Sequence, residues 1–96
     1  MDGEYTYMKL ADKYKQDSDL RNAYKYYVNS YETADNREAK EKAWECCYIE
    51  AKVCYSLNEK VEFEAWRQIA DELAKEIGYD DFETQYAKEN GIDKVL

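Results

Sequence analysis

Residues 37–57 read REAKEKAWECCYIEAKVCYSL, and their apolar positions fall on two faces of a helix. Ala39, Ala43, Cys46, Ile49 and Val53 follow spacings of three and four along one face. Trp44, Cys47, Ala51, Cys54 and Tyr55 follow them along the other. Residues three and four apart share one side of an α-helix, so a helix with two apolar stripes is covered from two sides. The segment is predicted to be the central helix of an all-α chain.

Working outward, each flanking segment shows one stripe. Tyr7, Leu10, Ala11 and Tyr14 mark a first helix, and Leu20, Ala23, Tyr24, Tyr27, Tyr31 and Ala34 a second over about 19–35. Phe63, Trp66, Ile69, Ala70, Leu73 and Ile77 mark a fourth over about 59–77. Ser18 is expected to cap the second helix and Asn58 the fourth, while Asp35-Asn36-Arg37-Glu38 reads as a capping box for the third, with Asp35 as its acceptor. Gly78 stops the fourth helix, because glycine enters the left-handed conformation without a Cβ penalty, and Tyr79 is placed to pack back on Ala74. Asp80-Asp81-Phe82-Glu83 opens a short fifth helix that stops at Asn90-Gly91, with Ile92 placed to contact Ala87. Links of a few residues force antiparallel neighbours. The reading is one all-helical domain over 1–96: antiparallel helical hairpins stacked in sequence order, about five helices in all.

Composition limits the core. Leu, Ile, Val and Phe together number only fifteen of 96 residues, and the formal net charge is −8. Eleven Tyr, two Trp and ten Ala supply packing in their place, Pro is absent, and Gly occurs only at 3, 78 and 91. The expectation is an ordered domain with a tyrosine-rich core.

The same residues exclude function classes. The chain has no His, which removes the commonest general base and metal ligand and the usual partner of a nucleophilic Ser or Cys. Cys46, Cys47 and Cys54 lack the C-x-x-C spacing and further soft ligands, so reduced structural thiols are expected rather than a metal or redox centre. Asp12 with Lys15, Glu38 with Lys42, and Glu41 and Glu45 read as a solvated helix face rather than a carboxylate pair in a cleft. No glycine-rich phosphate loop exists, and the sequence reads as non-enzymatic, with no cofactor. Its acidity opposes nucleic acid and anionic lipid. No stretch approaches a membrane span, and the acidic Met1-Asp2-Gly3-Glu4 predicts no signal peptide, so a cytoplasmic location is expected.

Residues 4–37 resemble a tetratricopeptide repeat. Tyr7, Leu10, Ala11 and Tyr14 stand for the bulky, Leu-like, small and aromatic positions of that family's first helix, and Ala23, Tyr27 and Ser30 for the small, aromatic and small positions of its second. Residues 38–78 form a degenerate second hairpin, in which placing Ala51 at the small position puts Glu50 where Leu belongs, and 79–91 a short capping helix. The resemblance implies a concave groove lined by the first helix of each pair, holding a peptide or helix of a partner protein. The groove positions it implies are Tyr5, Met8, Asp12 and Lys15 on the first helix and Glu45, Tyr48, Ile49 and Lys52 on the third. Some members grip a C-terminal carboxylate with Lys and Asn. Asp12 stands where that Asn would be, so carboxylate capture is not expected.

The inward stripes leave Tyr5, Tyr26 and Tyr48 over, and these are expected on the surface, where tyrosines favour docking. Tyr5, Met8 and Tyr26 form a candidate apolar patch through which the chain pairs with itself as a homodimer or docks a partner. A rival reading is an acidic inhibitor or nucleic-acid mimic, since residues 59–83 hold nine acids.

Overall fold

The computed structural model describes the backbone of residues 2–91 and the side chains of residues 6–91. Five α-helices follow in order: α1 (Asp2–Gln16), α2 (Leu20–Thr33), α3 (Arg37–Ser56), α4 (Lys60–Ile77) and α5 (Phe82–Asn90). No strand occurs among the described residues. Each turn is three or four residues, and successive helices pack as antiparallel hairpins in chain order.

Helix α3 takes α2 on one side and α4 on the other, as its two stripes predict, except that the last member of each stripe, Val53 and Tyr55, is exposed. Ala39, Ala43, Cys46, Cys47, Ala51 and Cys54 are all buried. One core cluster joins Ala43, Cys46 and Cys47 to Ala11, Ala23, Tyr27, Ala70 and Leu73. A second gathers Tyr48, Ala51, Cys54, Phe63 and Phe82, and Trp44 and Trp66 pack against both. Small residues set the helix contacts, and aromatics fill the spaces around them.

The helix ends correct several sequence expectations. Ser18 and Asn58 are not N-caps. Both adopt left-handed backbone, φ 64° and 59°, and end the helix before them. At each stop an amide reaches back five residues, Asp19 to the Tyr14 carbonyl at 2.8 Å and Glu59 to that of Cys54 at 2.9 Å. In these two turns a left-handed residue makes the reversal, and no glycine is available there. The N-cap then falls one position later. Asp19 accepts from the Asn22 amide, whereas Glu59 makes no side-chain cap bond. In the same way Asn36, not Asp35, caps α3 by accepting from the Ala39 amide, and Asp81 caps α5 through Thr84. Gly78 and Gly91 are the left-handed stops expected of them, and the Tyr79 amide reaches the Ala74 carbonyl at 2.9 Å. Ile92 lies outside the described residues.

Leu10 is 38% exposed, contrary to its place in the predicted first stripe, because terminal α1 packs on a single neighbouring helix and buries Ala11. Outside glycine the left-handed conformation costs roughly 1–2 kcal/mol. Ser18→Gly is therefore expected to stabilise the fold by about 0.5–1 kcal/mol, once glycine's extra unfolded freedom is subtracted. Gly78→Ala, whose added Cβ meets nothing within 4 Å, is expected to cost about 1 kcal/mol through backbone strain alone. Thermal melts of the two variants should move in opposite directions, by several degrees each.

Candidate functional site

Helices α1, α3 and α5 lie along one side of the array and are joined there by charged side chains. The Tyr27 hydroxyl, on a side chain with no exposed surface, donates to Asp12 at 2.5 Å. Lys42 reaches the same carboxylate at 3.1 Å and Glu38 at 3.6 Å. Lys15 pairs with Glu45. One step further along α3, the Tyr48 hydroxyl and Lys52 converge on Glu89 of α5, at 2.8 and 3.3 Å. The pairing expected within α1, Asp12 with Lys15, is thus replaced by two bridges from α1 to α3, while Glu38 with Lys42 forms as read.

Three shallow depressions follow this side. The first is lined by Asp12, Lys15, Gln16, Tyr27 and Lys42. The second, between α3 and the α4–α5 turn, has Trp44 and Tyr79 as its aromatic wall, the rings perpendicular with centroids 4.9 Å apart, and Glu38, Glu41 and Glu45 around it. The third is lined by Ile49, Lys52, Val53, Ser56 and Leu57.

Of the predicted groove residues, the structure therefore brings Asp12, Lys15, Glu45, Ile49 and Lys52 to this side. Tyr48 of the predicted groove and Tyr26 of the predicted patch are placed differently. Tyr48 is only 3% exposed and belongs to the core, with its ring stacked on Trp44 at 5.2 Å and tilted against Phe82. The signal was in the sequence: residues 44, 48, 51 and 55 share one stripe. Tyr26 is half-buried between Tyr7 and Tyr14, at 6.3 and 5.5 Å, and lies nearly parallel to the latter. Met8 is half-buried against the core, and the Tyr5 side chain lies outside the described residues. The open patch predicted from these residues is thus reduced: Met8 packs inward and Tyr26 is held in a ring stack.

The acids of residues 59–83 do not stand as a free array. Glu64 and Asp71 both bind Arg67, Asp71 also accepts from the Phe82 amide at 2.7 Å, and Glu76 binds Lys40. Asp80 binds Lys88, and Asp81 caps α5. The carboxylate of Glu89 on α5 is taken up by Tyr48 and Lys52. Among the described residues no group of three or more potential ligands is placed to hold a metal ion, and no helix is long and apolar enough to cross a membrane.

Comparison with protein-family models, with characterised proteins and with solved structures finds no match.

The buried thiols and phenols set an alkaline limit to stability. Burial raises Cys46 from 9.0 to about 11, and pushes Cys47 further in the same direction. Burial likewise raises Tyr24 from 10.0 to about 12, and Tyr27 still further, with Asp12 adding to the effect. Above pH 9 the unfolded chain loses these protons while the folded chain keeps them, so the unfolded state gains from each rise in pH. Stability is expected to be flat with respect to these groups below pH 9, and to fall from there to about pH 12. Denaturant melts across that range, with phenolate absorbance alongside, check it: Tyr24 and Tyr27 should ionise only as the fold is lost.

Proposed function

We propose that this chain is a non-enzymatic interaction module of tetratricopeptide-like design that binds a peptide or helix of a partner protein along the α1–α3–α5 side. The observation that carries the reading is the make-up of that side. Its helices are bridged across a shallow groove by Asp12–Lys42, Lys15–Glu45 and Lys52–Glu89, all partly exposed. Such pairs are worth roughly 0–1 kcal/mol each, so a partner's charges can replace them at small cost. Gln16 beside Lys15, and Ile49 with Val53 beyond Glu45, add an amide and an apolar step to the same surface. The acids of α4 and its turn, by contrast, are largely engaged with Arg67, Lys40, Lys88 and first-turn amides, which gives a phosphate-mimicking stripe less support.

The test is a triple variant, Lys15→Ala, Glu45→Ala and Lys52→Ala. Surface substitutions of this kind usually change stability by no more than about 0.5 kcal/mol each, so circular dichroism should be unchanged. Affinity capture with the parent chain, read by mass spectrometry, should enrich specific proteins that the variant does not. An identical captured set from both chains would remove the groove from the account.

A further inference from the structure

The tip of the α3–α4 hairpin carries a second surface. Helices α3 and α4 run 20 and 18 residues against 15 and 14 for α1 and α2. Arg21, in the first turn of α2, meets Glu50 at 2.9 Å, so the last turns of α3 and the first of α4 extend past the α1–α2 hairpin. Six large apolar side chains on the described chain are markedly exposed, and four of them, Val53, Tyr55, Leu57 and Val61, fall in this one tip. Beside them lies a slot of about 420 Å³ lined by Cys54, Tyr55, Asn58, Glu59, Lys60, Phe63 and Glu64. Tyr55 and Phe63 form its wall, ring centroids 5.4 Å apart, and Tyr86 supports Tyr55 from α5 at 5.5 Å. The residues that line the slot take no part in the groove, whereas Val53 and Leu57 beside it also line the groove's third depression.

We propose that this slot is an anchor site for one large apolar side chain of a partner protein, carried on a segment with lysine or arginine on either side of the anchor. The proposal rests on the reading of the chain as an interaction module and gives that module a second point of contact. A half-open, mainly apolar slot with an aromatic wall, ringed by polar groups, offers a partner side chain the kind of seat on which dominant interface contacts are built. Charge selects the flanks. Glu59 and Glu64 line the slot with Lys60, Glu64 being shared with Arg67, Glu62 follows on the same turn, and residues 59–96 together carry −6. A second copy of the chain brings the same acids, and four side chains fall short of the ~800 Å² per partner that a stable dimer buries. A basic partner segment gains from the field that a second copy would meet as repulsion.

The experiment titrates the chain with three synthetic peptides and follows backbone amide shifts by NMR. One carries a single phenylalanine flanked by lysines, one the same phenylalanine flanked by glutamates, and one the lysines with serine in place of phenylalanine. The expected result is shifts at Tyr55, Lys60, Phe63 and Glu64 with the first peptide, and binding weaker by about tenfold or more with the other two. Tyr55→Ser, and separately Glu59→Lys with Glu64→Lys, should weaken the first peptide by a similar factor while circular dichroism stays unchanged. The proposal falls if the slot does not shift, if the glutamate peptide binds as well, or if neither variant alters binding. Shifts confined to Asp12, Lys15, Lys42 and Glu45 would overturn the slot and leave the groove reading standing. Two further results overturn it by naming another occupant: a dimer in sedimentation that Tyr55→Ser abolishes, or slot shifts on deleting residues 92–96 with peptide binding gained only then.

Discussion

The close approach of α2 and α4 to the two flanks of α3 is the constraint on which the rest depends. It is set by side-chain size. Ala39, Ala43, Cys46, Cys47, Ala51 and Cys54 have essentially no exposed surface, and none is larger than a thiol. Small side chains let helix axes come near, but they remove little apolar surface themselves. The area that a leucine-rich core would supply comes instead from rings beside the contact. Tyr27, Trp44, Tyr48, Phe63, Trp66 and Phe82 do this, and the ring pairs run continuously from Trp44 through Tyr48 and Phe82 to Phe63 and Tyr86. Enlarging a residue of the strip would separate the helices and open the ring packing on both sides at once.

A core of this kind carries polar atoms inward, and each needs a partner. The Tyr27 hydroxyl finds Asp12 and that of Tyr48 finds Glu89. These two bonds reach from the core to the surface charge bridges that join α1 to α3 and α3 to α5. The lysines then balance the carboxylates: Lys42 at Asp12 and Lys52 at Glu89, each also within 6 Å of the tyrosine ring concerned. The polar groove is thus the outer end of the aromatic core, which ties its geometry to the fold. The thiols are the opposite case. Burial raises the pKa of all three, so they stay protonated at neutral pH and serve as small, polarisable packing groups.

What could be read from the sequence followed from local periodicity. The two stripes of residues 37–57 carry the existence of α3 and its central place, because both faces are written in one segment. The glycine stops at 78 and 91 were legible for a similar reason, since one residue type answers one backbone need. Ser18 and Asn58 were misread because a residue before a helix can either stop the previous one or cap the next. Turn length does not decide between them: the turns at 17–19, 34–36 and 57–59 are all three residues, yet only the first and last carry a left-handed stop. Tyr48 was misplaced although its stripe with residues 44 and 51 was legible; what covers it, α5, lies some forty residues away in sequence. The exposed tip follows from a length difference between hairpins: the greater length of the third and fourth helices was legible, but not that the first hairpin leaves Val53 and Tyr55, read on inward stripes, uncovered.

The groove and the tip differ in the physics they offer a partner. Along the groove the charges are already satisfied, so binding there exchanges one set of weak ion pairs for another and gains mainly in geometry and selectivity. At the tip, apolar side chains are between 37% and 80% exposed, and covering what is exposed is a direct gain of about 25 cal/mol for each Å² removed from water. A module combining the two can take affinity from the tip and discrimination from the groove. Because both are built on α3, whose position is fixed by the small-residue strip, a segment spanning them would meet a rigid spacing. That spacing, more than the identity of any one surface residue, would decide which partner segments fit.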